Sequence, residues 1–223
     1  MLELLKNFID IILHIDIHLF NWVKEYQTWT YLILFVIIFM ETGLVVTPFL
    51  PGDSLLFAAG TVAAGTIAGI PGHPLNLVFL IPLLICAAFA GDNTNYMIGR
   101  LLGKTVYEKN YRLIRREYLD KTHAFYEKHG GKTLIIARFM PIIRTFAPFV
   151  AGVGTMRYLR FISFSIVGNV SWVVSFSLAG YFFGNIPLVK NNFTIAILGI
   201  ILISLLPMLI AFIRKVTDRK QVP

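Results

Sequence analysis

Of the 223 residues, 57% are hydrophobic and only 14% are charged, with a mean hydropathy of +0.72. A soluble domain carries roughly 25% charged residues, so this composition excludes an ordinary soluble fold and indicates an integral membrane protein. The net charge of +8 does not argue for nucleic acid, because the basic residues sit in loops between apolar blocks, as a cytoplasmic excess of Lys and Arg requires.

The apolar blocks run to about 20 residues, which favours spanning helices over barrel strands. Residues 1–28 come first, with a polar stripe of Glu3, Asn7, Asp10, His14, His18 and Asn21 opposite a row of Leu, Ile and Phe. That pattern predicts an amphipathic helix lying in the membrane interface. Asp10 and Asp16 interrupt its apolar run and no small-residue cleavage site follows, so no cleaved signal peptide is expected. His14 and His18 have metal-ligand spacing, but no third ligand accompanies them, and no metal or other cofactor is expected. Cys86 is the single cysteine and lies in an apolar block, which rules out an internal disulfide.

Residues 29–213 read as one membrane domain. Its first segment, about 31–60, is apolar but holds Glu41, Pro48, Pro51, Gly52 and Asp53. A charge at membrane depth is costly and faces a cavity or a partner. Prolines remove backbone donors, and broken backbone at that depth is tolerated only under a cover of protein or water. A re-entrant hairpin with a functional tip fits this stretch. A plain crossing helix over 31–50 is also long enough to span, and the two readings place the N-terminal helix on opposite sides.

An uncharged connection over 61–76 leads to a spanning helix over 77–98. Asp92, Tyr96 and Arg100 lie toward its cytoplasmic end, where interfacial anchoring accounts for them at least as well as a site does. Residues 99–132 hold nine Lys or Arg against four acids, and Tyr107, Tyr111, Ile114 and Tyr118 share one helical face. The positive-inside rule makes this a cytoplasmic amphipathic segment resting on anionic headgroups. No nucleic-acid recognition motif accompanies the charge.

Residues 133–155 repeat the opening anomaly with the opposite sign. Arg138 and Arg144 sit in an apolar stretch broken by Pro141 and Pro148. Helices over 158–184 and 192–213 follow, and residues 214–223 form a basic, cytoplasmic tail. A shift of 100 residues superposes Leu34 on Leu134, Phe39-Met40 on Phe139-Met140, Pro48-Phe49 on Pro148-Phe149, and Gly52 on Gly152. A weaker echo relates Tyr96-x-x-Gly99 to Tyr181-x-x-Gly184. Counting crossings back from a cytoplasmic tail makes 133–155 re-entrant from the inside. If 31–60 is re-entrant too, it enters from the outside. The predicted fold is therefore all-α: two opposed re-entrant helical hairpins in an inverted repeat, with transmembrane helices and amphipathic surface helices around them.

The charges divide by copy, acids in the first and arginines in the second. A planar guanidinium suits a phosphate oxygen pair, and helix ends at mid-depth recur as substrate sites. Carboxylates in a desolvated cavity are suited to carry coupling protons. A structural ion-pair cluster is the plainer alternative.

Glu41-Thr-Gly with Pro48-Phe-Leu-Pro-Gly-Asp53, Gly91-Asp92 with Tyr96-x-x-Gly99-Arg100, Asp120-Lys-Thr-His-x-Phe-Tyr-Glu-Lys-His-Gly-Gly, and Arg138-Phe-x-Pro141-x-x-Arg144-Thr-Phe-x-Pro148 together resemble the DedA family of bacterial inner-membrane proteins, which carry the SNARE-associated or VTT domain. The resemblance implies paired re-entrant hairpins and proton-motive-force-dependent movement of undecaprenyl phosphate or phosphatidylethanolamine across the cytoplasmic membrane. It also implies that Glu41 and Asp53 are the essential acids and that Arg138 and Arg144 are the essential arginines. The expected function is a proton-coupled lipid flippase rather than an enzyme. Arg138 and Arg144 would bind the phosphate, Glu41 and Asp53 would exchange protons, and Pro48, Pro51, Gly52, Pro141, Pro148 and Gly152 would shape the hairpins. The expected partners are membrane lipids and protons, with a homodimer plausible. A proton-coupled antiporter of small cations or drugs is the alternative, since acids alone would suffice for it.

Overall fold

A computed structural model of the chain describes residues 15–26, 28–44, 52–65, 75–109, 131–184, 186–193, 195–196, 198–200 and 202. Within these, the assigned elements are all helices: α1 (Ile15–Tyr26), α2 (Trp29–Gly43), α3 (Gly52–Ala63), α4 (Leu77–Lys109), α5 (Lys132–Ala137), α6 (Pro141–Val153), α7 (Tyr158–Phe183) and α8 (Pro187–Asn191). Two of them are long and apolar enough to cross a membrane, α4 over Leu77–Gly103 and α7 over Tyr158–Phe183. At about 1.5 Å per residue, each of these spans roughly 40 Å. The prolines at 48 and 51, most of the basic segment 99–132, the tail 214–223, His14 and most of the polar stripe of residues 1–28 lie outside the described residues.

The direction of each helix follows from its contacts. Asp92 of α4 accepts a bond from Ser165 of α7, and Tyr96, one turn later in α4, stacks on Phe161, one turn earlier in α7, with ring centroids 4.3 Å apart. The two long helices are therefore antiparallel. Along α2, Tyr31 meets Phe79 and Gly43 meets Gly91, so α2 runs parallel to α4. Along α3, Asp53 meets Trp172, Phe57 meets Gly180 and Thr61 meets Gly184, so α3 runs parallel to α7. It follows that the chain reverses direction between α2 and α3. The same logic applies to the second half. Gly131, just before α5, meets Phe164, and Gly168 lies beside Ile135, which makes α5 parallel to α7. Asn95 bonds Thr145, and Gly99 meets Phe149, which makes α6 parallel to α4. The chain thus reverses again between α5 and α6.

The second reversal has a clear local cause. Met140 is extended (φ −117°, ψ 105°), as a residue before proline is pushed to be. Pro141 then opens α6 at the first helical position, where its missing N–H costs nothing. Inside α6, Pro148 supplies no N–H to the carbonyl of Arg144 four residues earlier.

Glycines set how closely the helices approach. A Cβ on Gly60 would strike the Ser177 carbonyl, one on Gly180 the Phe57 carbonyl, and one on Gly184 the Thr61 hydroxyl. In the other half, a Cβ on Gly152 would strike the Tyr96 carbonyl and one on Gly99 the Phe149 carbonyl, while one on Gly103 would sit 3.0 Å from the Val153 carbonyl. The two sets share one register. Phe57, Gly60 and Thr61 on α3 correspond to Phe149, Gly152 and Val153 on α6, a constant step of 92 residues. Tyr96, Gly99 and Gly103 on α4 correspond to Ser177, Gly180 and Gly184 on α7, a constant step of 81.

This register corrects the shift of 100 read from the sequence. Gly52 opens α3 whereas Gly152 lies in the last turn of α6, so the two glycines are not equivalent. The Tyr96 echo is corrected as well, because Gly99 corresponds to Gly180 and not to Gly184. Identical letters in an apolar chain are cheap, and the spatial contact is what fixes correspondence.

Two hydrophobic cores result. The larger centres on Leu34, Ile38, Leu55, Leu56, Leu80, Leu84, Trp172 and Val173, and the smaller on Tyr96, Leu134, Ala147, Ala151 and Phe161. In α1, Leu19 and Val23 are buried in the larger core while Asn21, Lys24 and Glu25 are exposed.

Candidate functional site

The broken ends of the short helices converge on one buried cluster. Glu41 lies in the last turn of α2, Asp53 in the first turn of α3, Arg138 directly after α5, and Arg144 in the first turn of α6. All four are at least nine-tenths buried, with exposures of 1%, 7%, 3% and 4%. An acid at a helix N-terminus is favoured by the helix dipole, which helps to seat Asp53. Gly52 lets the Glu41 carboxylate approach, since a Cβ there would collide with Glu41 Oε2.

The pairing is not two acids against two bases. Arg144 donates through Nη1 to Asp53 Oδ1 and through Nη2 to Glu41 Oε1, so one guanidinium of the second half holds both acids of the first. Arg138 instead donates through Nη1 to Asp92 Oδ1 at 2.7 Å. Asp92 Oδ2 accepts from Ser165 Oγ at 2.7 Å and from Asn169 Nδ2 at 3.0 Å.

Of the two readings left open for Asp92, interfacial anchor or site residue, the geometry fits the second. The helix does not end near residue 98 but runs to Lys109, so Asp92 sits at its middle, 3% exposed, inside the cluster. Tyr96 is buried but structural. It donates to the Met156 carbonyl at 2.5 Å and stacks on Phe161, which secures the turn between α6 and α7. Arg100 is exposed and outside the cluster. Pro148 lines the site, Gly152 packs on α4, and Pro141 opens α6.

Sequence reasoning missed the contribution of α7. Trp172, fully buried, donates from its indole N–H to Asp53 Oδ1 at 2.7 Å. Its ring lies 4.9 Å from Arg138 Cζ and 5.0 Å from Arg144 Cζ, within cation–π range of both. Ser165, Asn169 and Trp172 fall at i, i+4 and i+7, one face of α7 turned to the cluster. The signal available was Ser165, Asn169 and Trp172 at helical spacing, with Asn169 the one amide side chain of residues 158–184. Asn95 was missed too: its amide donates to the Thr42 carbonyl at 3.1 Å and to the Thr145 carbonyl at 2.6 Å, tying the end of α2 to the start of α6.

Three donors of the arginines have no partner among the described residues: Arg138 Nε, Arg138 Nη2 and Arg144 Nε. Both side chains line a small cavity of about 10 Å³ with Asp92, Leu134, Ala147, Pro148, Ser165 and Gly168, room for about one water molecule. Three carboxylate or amide oxygens are likewise unpartnered among the described residues: Glu41 Oε2, Asn95 Oδ1 and Asn169 Oδ1. Leaving buried donors unmade is expensive, so such a set is suited to an anionic oxygen ligand. Among the described residues, no group of His, Cys, Asp and Glu could hold a metal ion.

Comparison with known proteins gives a consistent picture. The VTT domain model matches residues 50–182. The chain is 54% identical over 214 residues to the protein DedA of Escherichia coli strain K12, covering 96% of this chain and 95% of that one. It is 44% identical over 191 residues to an uncharacterised membrane protein of Mycobacterium tuberculosis strain H37Rv, covering 85% and 82%. It is 34% identical over 175 residues to the inner membrane protein YqjA of Escherichia coli strain K12, covering 74% and 76%. No solved structure matches it significantly.

Proposed function

The chain belongs to the DedA family of VTT-domain membrane proteins, and from that premise we propose that it moves a phosphate-bearing lipid across the cytoplasmic membrane. The observation that carries the reading is the set of three unpartnered guanidinium N–H groups beside a cavity, halfway along two helices long enough to span. A headgroup phosphate supplies acceptor oxygens to such donors and is matched by a planar guanidinium. Undecaprenyl phosphate or a phospholipid such as phosphatidylethanolamine has this chemistry.

In this reading α2–α3 and α5–α6 are re-entrant hairpins of an inverted repeat, entering from opposite faces. At about 22, 18 and 20 Å, helices α2, α3 and α6 are too short for a hydrocarbon core of about 30 Å. The reversals and the shared glycine register support the pairing. Alternating exposure of the cluster would follow from rocking one hairpin against the other. Exposed Arg157 and Arg160 at the start of α7 suit a cytoplasmic end.

Proton coupling fits the charge count. Three carboxylates (Glu41, Asp53, Asp92) face two guanidinium groups, so an incoming phosphate needs compensating protons to enter a buried site without excess negative charge. A cation antiporter would need spare acceptors. Among the described residues the spare donors are charged guanidinium nitrogens, whereas two of the three spare carboxylate or amide oxygens are neutral, Asn95 Oδ1 and Asn169 Oδ1, which favours the anionic headgroup.

The test is reconstitution. Purified protein in liposomes is expected to accelerate transbilayer movement of undecaprenyl phosphate or phosphatidylethanolamine, faster with a proton gradient. Cation-evoked proton release without movement of any such lipid would overturn the reading.

A further inference from the structure

The two arginines are drawn into the cluster by carboxylates, yet a lipid phosphate has to compete for those same donors. Releasing an arginine from a buried acid ordinarily leaves that acid unpaired, at a cost that would block exchange. The face of α7 lowers that obstacle for two of the three carboxylates, Asp92 and Asp53, while Glu41 depends on Arg144 alone among the described residues. Asp92 keeps Ser165 and Asn169 when Arg138 moves, and Asp53 keeps the indole N–H of Trp172 when Arg144 moves. Trp172 does more than donate, because both guanidinium carbons lie about equally far from its ring, at 4.9 and 5.0 Å. A flat aromatic face holds a guanidinium without using its N–H donors. The arginines are therefore supported by a surface that leaves their forks available.

We propose that Trp172 is a positioning residue of the transport site. Its N–H holds Asp53, and its ring carries Arg138 and Arg144 while they exchange carboxylate oxygens for those of a lipid phosphate. The proposal rests on the lipid-transport reading given above and assigns within it a residue that carries no charge and takes no proton.

Trp172 is one of three tryptophans, so its emission can be isolated in a Trp22→Phe/Trp29→Phe variant. Trp29 is 69% exposed and Trp22 lies outside the cluster. In maltoside micelles, undecaprenyl phosphate or phosphatidylethanolamine is expected to shift Trp172 emission, because both cations leave or re-orient over its face. Undecaprenol and diacylglycerol, which lack phosphate, are expected not to. Unchanged emission with a phosphate lipid that the same variant moves in liposomes would overturn the proposal and leave the transport reading standing. Full-length Trp172→Phe keeps the ring and loses the N–H, and is expected to lower kcat about tenfold or more, the worth of a hydrogen bond to a charged group, with KM near the original value. Trp172→Leu also loses the face, and is expected to raise KM about threefold or more. A Trp172→Phe variant with unaltered kcat would also overturn the proposal. Failure of the unsubstituted protein to move any phosphate lipid would instead remove the transport reading, and the proposal with it.

Discussion

The two halves of the molecule use one packing scheme for opposite chemistry. In the first, α2 lies on α4 and α3 on α7; in the second, α5 lies on α7 and α6 on α4, with the glycine contacts of α3 and α6 in matching register. Yet the first half ends in carboxylates and the second in guanidinium groups. The backbone scheme decides where helix ends meet, and the few residues at those ends decide what the meeting point can bind. The two arginines differ as well. Arg144 bridges to both acids of the other half, whereas Arg138 pairs with a carboxylate that α7 already satisfies.

The largest effects should come from breaking that asymmetry. Arg144→Ala leaves Glu41 without its partner and Asp53 without its charge, and is expected to destabilise by about 3–5 kcal/mol, the usual result of stripping one side of a buried pair. Arg138→Ala is expected to cost clearly less, since Asp92 retains Ser165 and Asn169. Thermal unfolding of the two variants in detergent checks the order, and equal losses would contradict the asymmetry.

The shared register is tested by paired substitutions. Gly99→Leu and Gly180→Leu put the same bulk at corresponding positions, and each is expected to destabilise by about 1–3 kcal/mol or more through overpacking. Gly199, with no described residue within 4 Å of where a Cβ would stand, is the control, and Gly199→Ala should change the melting temperature little. A tolerated Gly180→Leu beside a damaging Gly99→Leu would break the correspondence.

The smallest effect concerns the exits of the two short helices. After α3 the chain uses Gly65 at φ 72°, but after α6 it places Thr155 at φ 54°. A β-branched residue pays roughly 1–2 kcal/mol for that conformation. Thr155→Gly is therefore expected to raise stability by about 1 kcal/mol or less, once the added freedom of the unfolded chain is subtracted. Calorimetry in detergent would read this as a higher melting temperature.

Much of this arrangement was legible in the residues. Charges and prolines inside apolar blocks marked both reversals, because lipid tolerates neither without a cover. The sequence also gave the sign of each half, through Glu41 with Asp53 and Arg138 with Arg144. What it could not convey was correspondence in space. The shared glycine register lies in contacts between helices far apart in the chain, whereas the letters suggest a different shift. Asp92 stays open between anchor and site in the sequence because polar residues begin near 98, although the helix continues to Lys109. Trp172, near the middle of an apolar block, reads as core in the sequence, and only the positions of other segments reveal what it touches.

The proposed transport puts a lipid phosphate on the second half's arginines, and substitution of Arg138 probes that contact. Arg138→Lys keeps a cation for Asp92 but loses the planar fork. Transbilayer movement of labelled phosphatidylethanolamine should be measured in liposomes holding equal amounts of folded Arg138→Lys and unsubstituted protein. A fall of about tenfold or more is expected in the variant, as loss of a hydrogen bond to a charged group implies. Equal rates for the two proteins would contradict it.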